Sequence, residues 1–168
     1  PLTFTSTPIS KTIHLEWSDP AGMRYIAFDS KGGSAVAGLS GGSGAPLTWP
    51  ADPERPGYTF DGWYTAEGKR YSSVSVMPTF PEGQTGVTLE AHWKPNLVNY
   101  TVEYYTEKLD GSYDMETETR QGNTDSTTNM TAQPKEGYTA KPIEQQTVAA
   151  DGSTVVKVYS EYLSGKVP

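Results

Sequence analysis

The stretch from Arg55 to Tyr64, reading Arg-Pro-Gly-Tyr-Thr-Phe-Asp-Gly-Trp-Tyr, constrains the fold more tightly than any other. Pro56-Gly57 signals a turn, because proline presets φ and glycine accepts a positive φ. Beyond it, Tyr58, Phe60 and Gly62 alternate with Thr59, Asp61 and Trp63, the period of a half-buried strand. Tyr58, Phe60, Trp63 and Tyr64 crowd aromatic rings into one short segment. A large apolar side chain contributes roughly 1.5–3 kcal/mol when fully buried. This strand is therefore expected to anchor a small core. It carries no direct sign of catalysis.

The bulk properties narrow the function classes. A chain of 168 residues is one domain or two small ones. Its net charge of -7, without a basic cluster that could track phosphates, argues against a nucleic-acid partner. The chain has no cysteine, which excludes disulfide staples, thiolate metal sites and cysteine nucleophiles. No run approaches the roughly 20 apolar residues of a membrane span, so no membrane insertion is expected in this segment. Abundant Thr, Tyr, Val, Gly and Pro favour short strands over helices. The opening at Pro1 reads as the start of a piece cut from something longer.

An internal echo organises the chain. Thr12-Ile13-His14-Leu15-Glu16-Trp17 alternates like a strand and stops at a tryptophan. Thr88-Leu89-Glu90-Ala91-His92-Trp93 does the same, and Lys94-Pro95-Asn96-Leu97 after it reads as a short linker. Echoes of this kind mark repeated modules, so residues 1–20 are expected to be the remnant of a preceding repeat. Met23 to Asp29 is a further alternating strand. Residues 34–52, with Gly38, Gly41, Gly42 and Gly44 close together, read as a flexible loop. They lack the Gly-Lys-Ser/Thr ending of a phosphate cradle. After residue 97, Tyr100 to Tyr105 and Tyr113 to Gln121 form a hairpin around the Asp110-Gly111 turn. Gly122 to Thr131 is polar and loop-like, and Glu136-Gly137-Tyr138-Thr139 echoes the Gly-Tyr-Thr of residues 57–59. A second turn at Asp151-Gly152 leads into a final strand with Val156 and Val158 on one face. The tail from Ser164 is expected to fray or lead into another module.

Residues 23–94 resemble the Listeria–Bacteroides repeat, the B-repeat type of module found in internalins. The residues that carry the resemblance are Phe28-Asp29-Ser30-Lys31-Gly32-Gly33, Pro53 to Tyr64, and Thr88 to Trp93. Residues 98–163 are similar, less specifically, to mucin-binding-protein (MucBP-like) modules. There the match rests on Tyr100 to Tyr105, Leu109 to Tyr113 and Asp151 to Tyr159. The resemblances imply a mainly β architecture of two tandem small β-grasp-like modules. The second module would span residues 98–168, the first residues 21–97, with the last strand of an upstream repeat before it. They also imply an extracellular setting, on a bacterial cell surface or in a secreted protein. Mucin binding is not carried over, because fold does not fix function.

Residues with chemical potential each have a plainer reading. His14 and His92 lie on the outward parity of closing strands in different repeat copies, so no joint metal site is expected. Glu116 and Glu118 share a strand face but are expected to be solvated rather than a glycosidase pair. Asp110 and Asp151 belong to Asp-Gly turns, and no EF-hand-like acidic loop is present. Trp17, Trp63 and Trp93 sit at repeat-matched positions and are assigned to packing. Trp49, beside Pro50 and the Gly-rich loop, is the candidate for an exposed, sugar-stacking ring. The sequence therefore predicts a non-catalytic stalk or spacer without cofactor, catalytic residue or metal. Its partners would be neighbouring modules of the same chain. The alternatives are an adhesive module for host glycans or glycoproteins, with Trp49 as ligand-binding residue, and an accessory region of a secreted enzyme.

Overall fold

The computed structural model describes residues 22–163, and everything below refers to these. The sequence readings of residues 1–20, including His14 and Trp17, and of the tail from Ser164 lie outside them. No α-helix occurs among the described residues, and the fold is mainly β.

Nine strands form two mixed sheets. The first contains β1 (Met23–Asp29), β2 (Leu39–Gly42), β3 (Tyr58–Tyr64), β4 (Arg70–Tyr71) and β5 (Gly86–Pro95). Its order is β2-β1-β5-β3-β4, with β1 antiparallel to β2 and parallel to β5. The second contains β6 (Leu97–Glu107), β7 (Tyr113–Asn123), β8 (Tyr138–Ala140) and β9 (Val155–Tyr162), in the order β7-β6-β9-β8. Here β6 is antiparallel to β7 and parallel to β9, while β8 runs antiparallel to β9. Both sheets thus begin with a hairpin whose first strand is also paired by the closing strand.

Contacts divide the chain into two compact units. Among the described residues, unit 1 holds 22–53 together with Asp61–His92, and unit 2 holds Glu54–Phe60 and 93–163. The Pro56-Gly57 turn falls in unit 2, where Gly57 meets Asn96 and later residues. The expected linker is absent: β5 runs to Pro95, β6 begins at Leu97, and Asn96 alone separates them. Asn96 is held firmly. Its N–H donates to Gly57 O (2.8 Å), and its carbonyl accepts from the Thr124 N–H (3.0 Å).

In unit 1 the alternation seen in sequence buries Ile26, Leu89 and Ala91, whereas β3 departs from it and buries the consecutive Gly62 and Trp63. The Gly-rich segment differs from its flexible-loop reading. Leu39–Gly42 forms an edge strand on β1, with Leu39 opposite Ile26 and Gly42 opposite Met23. Small residues permit the close approach, for a Cβ on Gly38 would lie 3.1 Å from Ile26 O. Residues 65–86 hold no helical turn. Their chain instead covers the core with the buried Met77, which donates to Ala45 O (2.8 Å) and accepts from the Gly44 N–H (2.8 Å).

The core of unit 2 is Tyr100, Val102, Met130, Val148, Val156 and Val158. Met130 and Val148 come from connections that read as loops, and Thr128 and Thr154 are buried beside them. Buried hydroxyls need partners, and these have them. Thr128 Oγ1 donates to Gln145 Oε1 (2.9 Å), and Thr154 Oγ1 donates to Thr147 O (3.1 Å). Gln145 acts as a substitute strand, accepting from Met130 N–H (2.9 Å) and donating to Met130 O (2.8 Å). Gln145→Ala removes these two bonds together with the one from Thr128 and is expected to destabilise unit 2 by about 2 kcal/mol, read as a lower urea midpoint with an unchanged slope.

Candidate functional site

Trp49 lies in the connection between β2 and β3, where its ring is half-buried. Phe28 of β1 meets it edge-on at 5.3 Å, and Tyr71 of β4 lies nearly parallel to it at 6.3 Å. Phe28 also packs on the buried Trp63 at 4.8 Å, so the cluster runs from the core towards solvent. Tyr71 continues it into an open groove of about 510 Å³ lined by Thr65, Lys69, Phe80, Gln84 and Thr88. Partial burial pushes the Tyr71 hydroxyl above its ordinary pKa. Sequence reasoning singled out Trp49 and missed Tyr71, which sits on a two-residue strand too short to show any period.

Unit 2 carries a second aromatic surface on the face of its sheet opposite the core. Tyr105 of β6 and Tyr159 of β9 stack at 4.7 Å, and Tyr113 of β7 meets both nearly at right angles. Their hydroxyls are tied down. Tyr105 donates to Glu103 (2.6 Å), which with burial raises its pKa to about 12. Tyr113 donates to Glu161 (2.7 Å), and Lys141 lies 2.5 Å from the same carboxylate. Lys141 first, and Tyr113 second, hold the Glu161 carboxyl below the ordinary range.

A depressed folded-state pKa stabilises above the unfolded value, and the contribution is lost as pH falls through the folded one. Acidification below the ordinary glutamate range is therefore expected to lower the melting temperature, and Glu161→Gln to flatten that limb. A melting series against pH for both proteins checks it.

The remaining candidates sit apart. His92 is exposed and stacks on Tyr64 at 3.8 Å. Trp63 is buried, and the half-buried Trp93 packs against Phe60 at 5.4 Å. Asp110 and Asp151 accept bonds from the side chains of Ser112 and Ser153 first, and from their N–H groups (2.9 Å and 3.0 Å) second, which lowers both carboxyl pKa values. Glu116 and Glu118 are exposed on β7, and Tyr104 donates to Glu118 at 2.7 Å. Among the described residues no three His, Cys, Asp or Glu side chains are grouped to hold a metal ion. The resolved shifts raise tyrosines and basic groups and lower carboxyls, strengthening their usual states at pH 7. What the surfaces can offer chemically is ring faces and charged rims.

Comparison with known proteins places part of the chain. Residues 25–89 match the family model of the Listeria-Bacteroides repeat domain. The chain is 31% identical over 113 residues to a "Putative membrane protein" of Evansella cellulosilytica. It is 29% identical over 130 residues to a "Putative Gly-rich membrane protein" of the same organism. These alignments take in 67% and 77% of this chain but 16% and 14% of the two relatives.

Proposed function

We propose, from a chain whose residues 25–89 form a Listeria-Bacteroides repeat domain, that it is a non-catalytic spacer of a much larger bacterial envelope protein. In that reading it lies outside the cell, on the surface or secreted, and its partners are neighbouring modules. The observation that carries the proposal is structural repetition. Each sheet opens with a hairpin, closes with a strand parallel to the first, and sets a third strand beyond it. The same order supports a β-grasp-like reading of both units, with irregular chain where a helix would lie, and is compatible with a MucBP-like second module. A unit used again and again suits reach and display better than turnover.

The adhesive alternative rests on Trp49 and Tyr71. The chain applied to a glycan array and to immobilised mucin is expected to give no saturable signal. Trp49→Ala is expected to lower stability by about 2 kcal/mol, as loss of a half-buried ring, and to leave the array unchanged. Saturable binding that Trp49→Ala abolishes in a folded protein would replace the spacer reading with the adhesive one.

A further inference from the structure

Unit 2 contains the same turn twice. In the first, Tyr58 N–H donates to Arg55 O (3.1 Å), Gly57 has φ +79°, and the Arg55 guanidinium lies 3.8 Å over the Tyr58 ring. In the second, Tyr138 N–H donates to Lys135 O (3.1 Å), Gly137 has φ +80°, and the Lys135 ammonium lies 4.7 Å over the Tyr138 ring. Each glycine carbonyl accepts a bond from the residue that follows the neighbouring strand, Asn96 N–H at 2.8 Å after β5 and Leu163 N–H at 3.0 Å after β9. Only their surroundings differ. A Cβ on Gly57 would lie 2.6 Å from Ala150 Cβ and 2.7 Å from Thr124 Cγ2, whereas one on Gly137 meets nothing within 4 Å. Tyr58 also donates its hydroxyl to Asp125. Beside the second turn a groove of about 510 Å³ opens, lined in part by Lys135 and Tyr138.

The surface that covers Gly57 is duplicated as well. Asp125 N–H donates to Val148 O and Val148 N–H to Ser126 O, both at 2.8 Å. In unit 1, Gly44 N–H donates to Met77 O and Met77 N–H to Ala45 O, again both at 2.8 Å. Asp125 and Gly44 share a positive φ, +62° and +77°. By this correspondence Thr124 matches Ser43, and Ala150 matches Thr79. Ser43, Gly44 and Thr79 are exposed, and a Cβ on Gly44 meets nothing within 4 Å.

We propose that the Lys135–Tyr138 turn is a docking surface for the small-residue notch of a following module, a notch of the kind that Ser43, Gly44 and Thr79 form on a second copy of this chain. The turn presents a glycine with no side chain, and the notch presents residues small enough to close over it. Unit 2 thus offers the turn and unit 1 the notch. Such a contact is heterologous and extends head to tail rather than closing on itself. The proposal rests on the tandem-module reading and adds how one module joins the next.

The test is a covalent tandem, residues 1–163 followed directly by residues 23–168, in which the linkage supplies the effective concentration. Gly137→Ala is placed in the first copy, where a notch follows, or in the second, where none does. Both carry the same backbone strain. The first-copy substitution is expected to shift the unfolding equilibrium about tenfold or more beyond the second-copy one, the range of contacting residues. Hydrogen exchange of the unsubstituted tandem is expected to be slower at Gly137 and Tyr138 of the first copy. Equal shifts, equal exchange at the two copies, or a second copy that fails to fold when joined in this way would each overturn the proposal. None of these outcomes bears on glycan binding, which tests the spacer reading separately.

Discussion

Gly57→Ala is expected to cost unit 2 about 2–5 kcal/mol, reaching the upper range for one substitution. Two effects add. A positive φ of +79° costs an L-residue roughly 1–2 kcal/mol. The new methyl would also overlap Ala150 Cβ at 2.6 Å and Thr124 at 2.7 Å, and neither can retreat by rotating a long side chain. Overpacking of that kind typically costs a further 1–3 kcal/mol. A unit of this size has only about 3–5 kcal/mol from its core, so the variant should be largely unfolded at room temperature. Near-ultraviolet dichroism of the tyrosine cluster around Tyr105, Tyr113 and Tyr159 reports it. Retention of that signal with an unshifted urea midpoint would show that the Glu54–Phe60 segment is not integral to unit 2.

Leu89→Ala should have a comparable effect on unit 1. Leu89 is fully buried on β5, the strand that pairs with β1 through the steps from Tyr25–Gly86 to Asp29–Glu90. Removing a buried leucine costs about 2–5 kcal/mol, depending on how far the cavity collapses. Collapse is restricted here, because the side chain belongs to a central strand fixed by neighbours on both sides. Leu89→Ile keeps the volume and is expected to cost less than about 1.5 kcal/mol. Tryptophan fluorescence across a denaturant series separates the two variants, and equal midpoints would mean that packing at this site does not hold the unit together.

The strands with a clear period were legible in the sequence. The alternation of Met23–Asp29 buries Ile26, and that of Val155–Tyr162 buries Val156 and Val158. Both Asp-Gly turns formed where their residues demanded. Leu39–Gly42 was not legible, because an edge strand of small residues has neither β-branched side chains nor a buried face to announce it. The covering segments were hidden for a related reason. Met77 and Val148 are single buried residues beside the isolated bridges Pro46–Val76 and Thr127–Thr147, and Met130 is held by the Gln145 side chain. One buried residue has no period. Asn96 read as linker because Pro95 precedes it, whereas its backbone is bonded at both N–H and carbonyl. The repeated Gly-Tyr-Thr was visible as an echo. That Thr124 and Ala150 close over only its first occurrence was not, since those residues lie far along the chain from Gly57.

The pairing of β6 with β9 sets how unit 2 answers to tension. The two strands run in the same direction, in register from Thr101–Val155 to Thr106–Ser160. Force applied at the start of β6 and the end of β9 therefore pulls them past one another along their length. Every rung between them bears the strain at once, where a hairpin drawn open from one end would yield a rung at a time. Such a clamp resists stretching more strongly than its modest equilibrium stability implies.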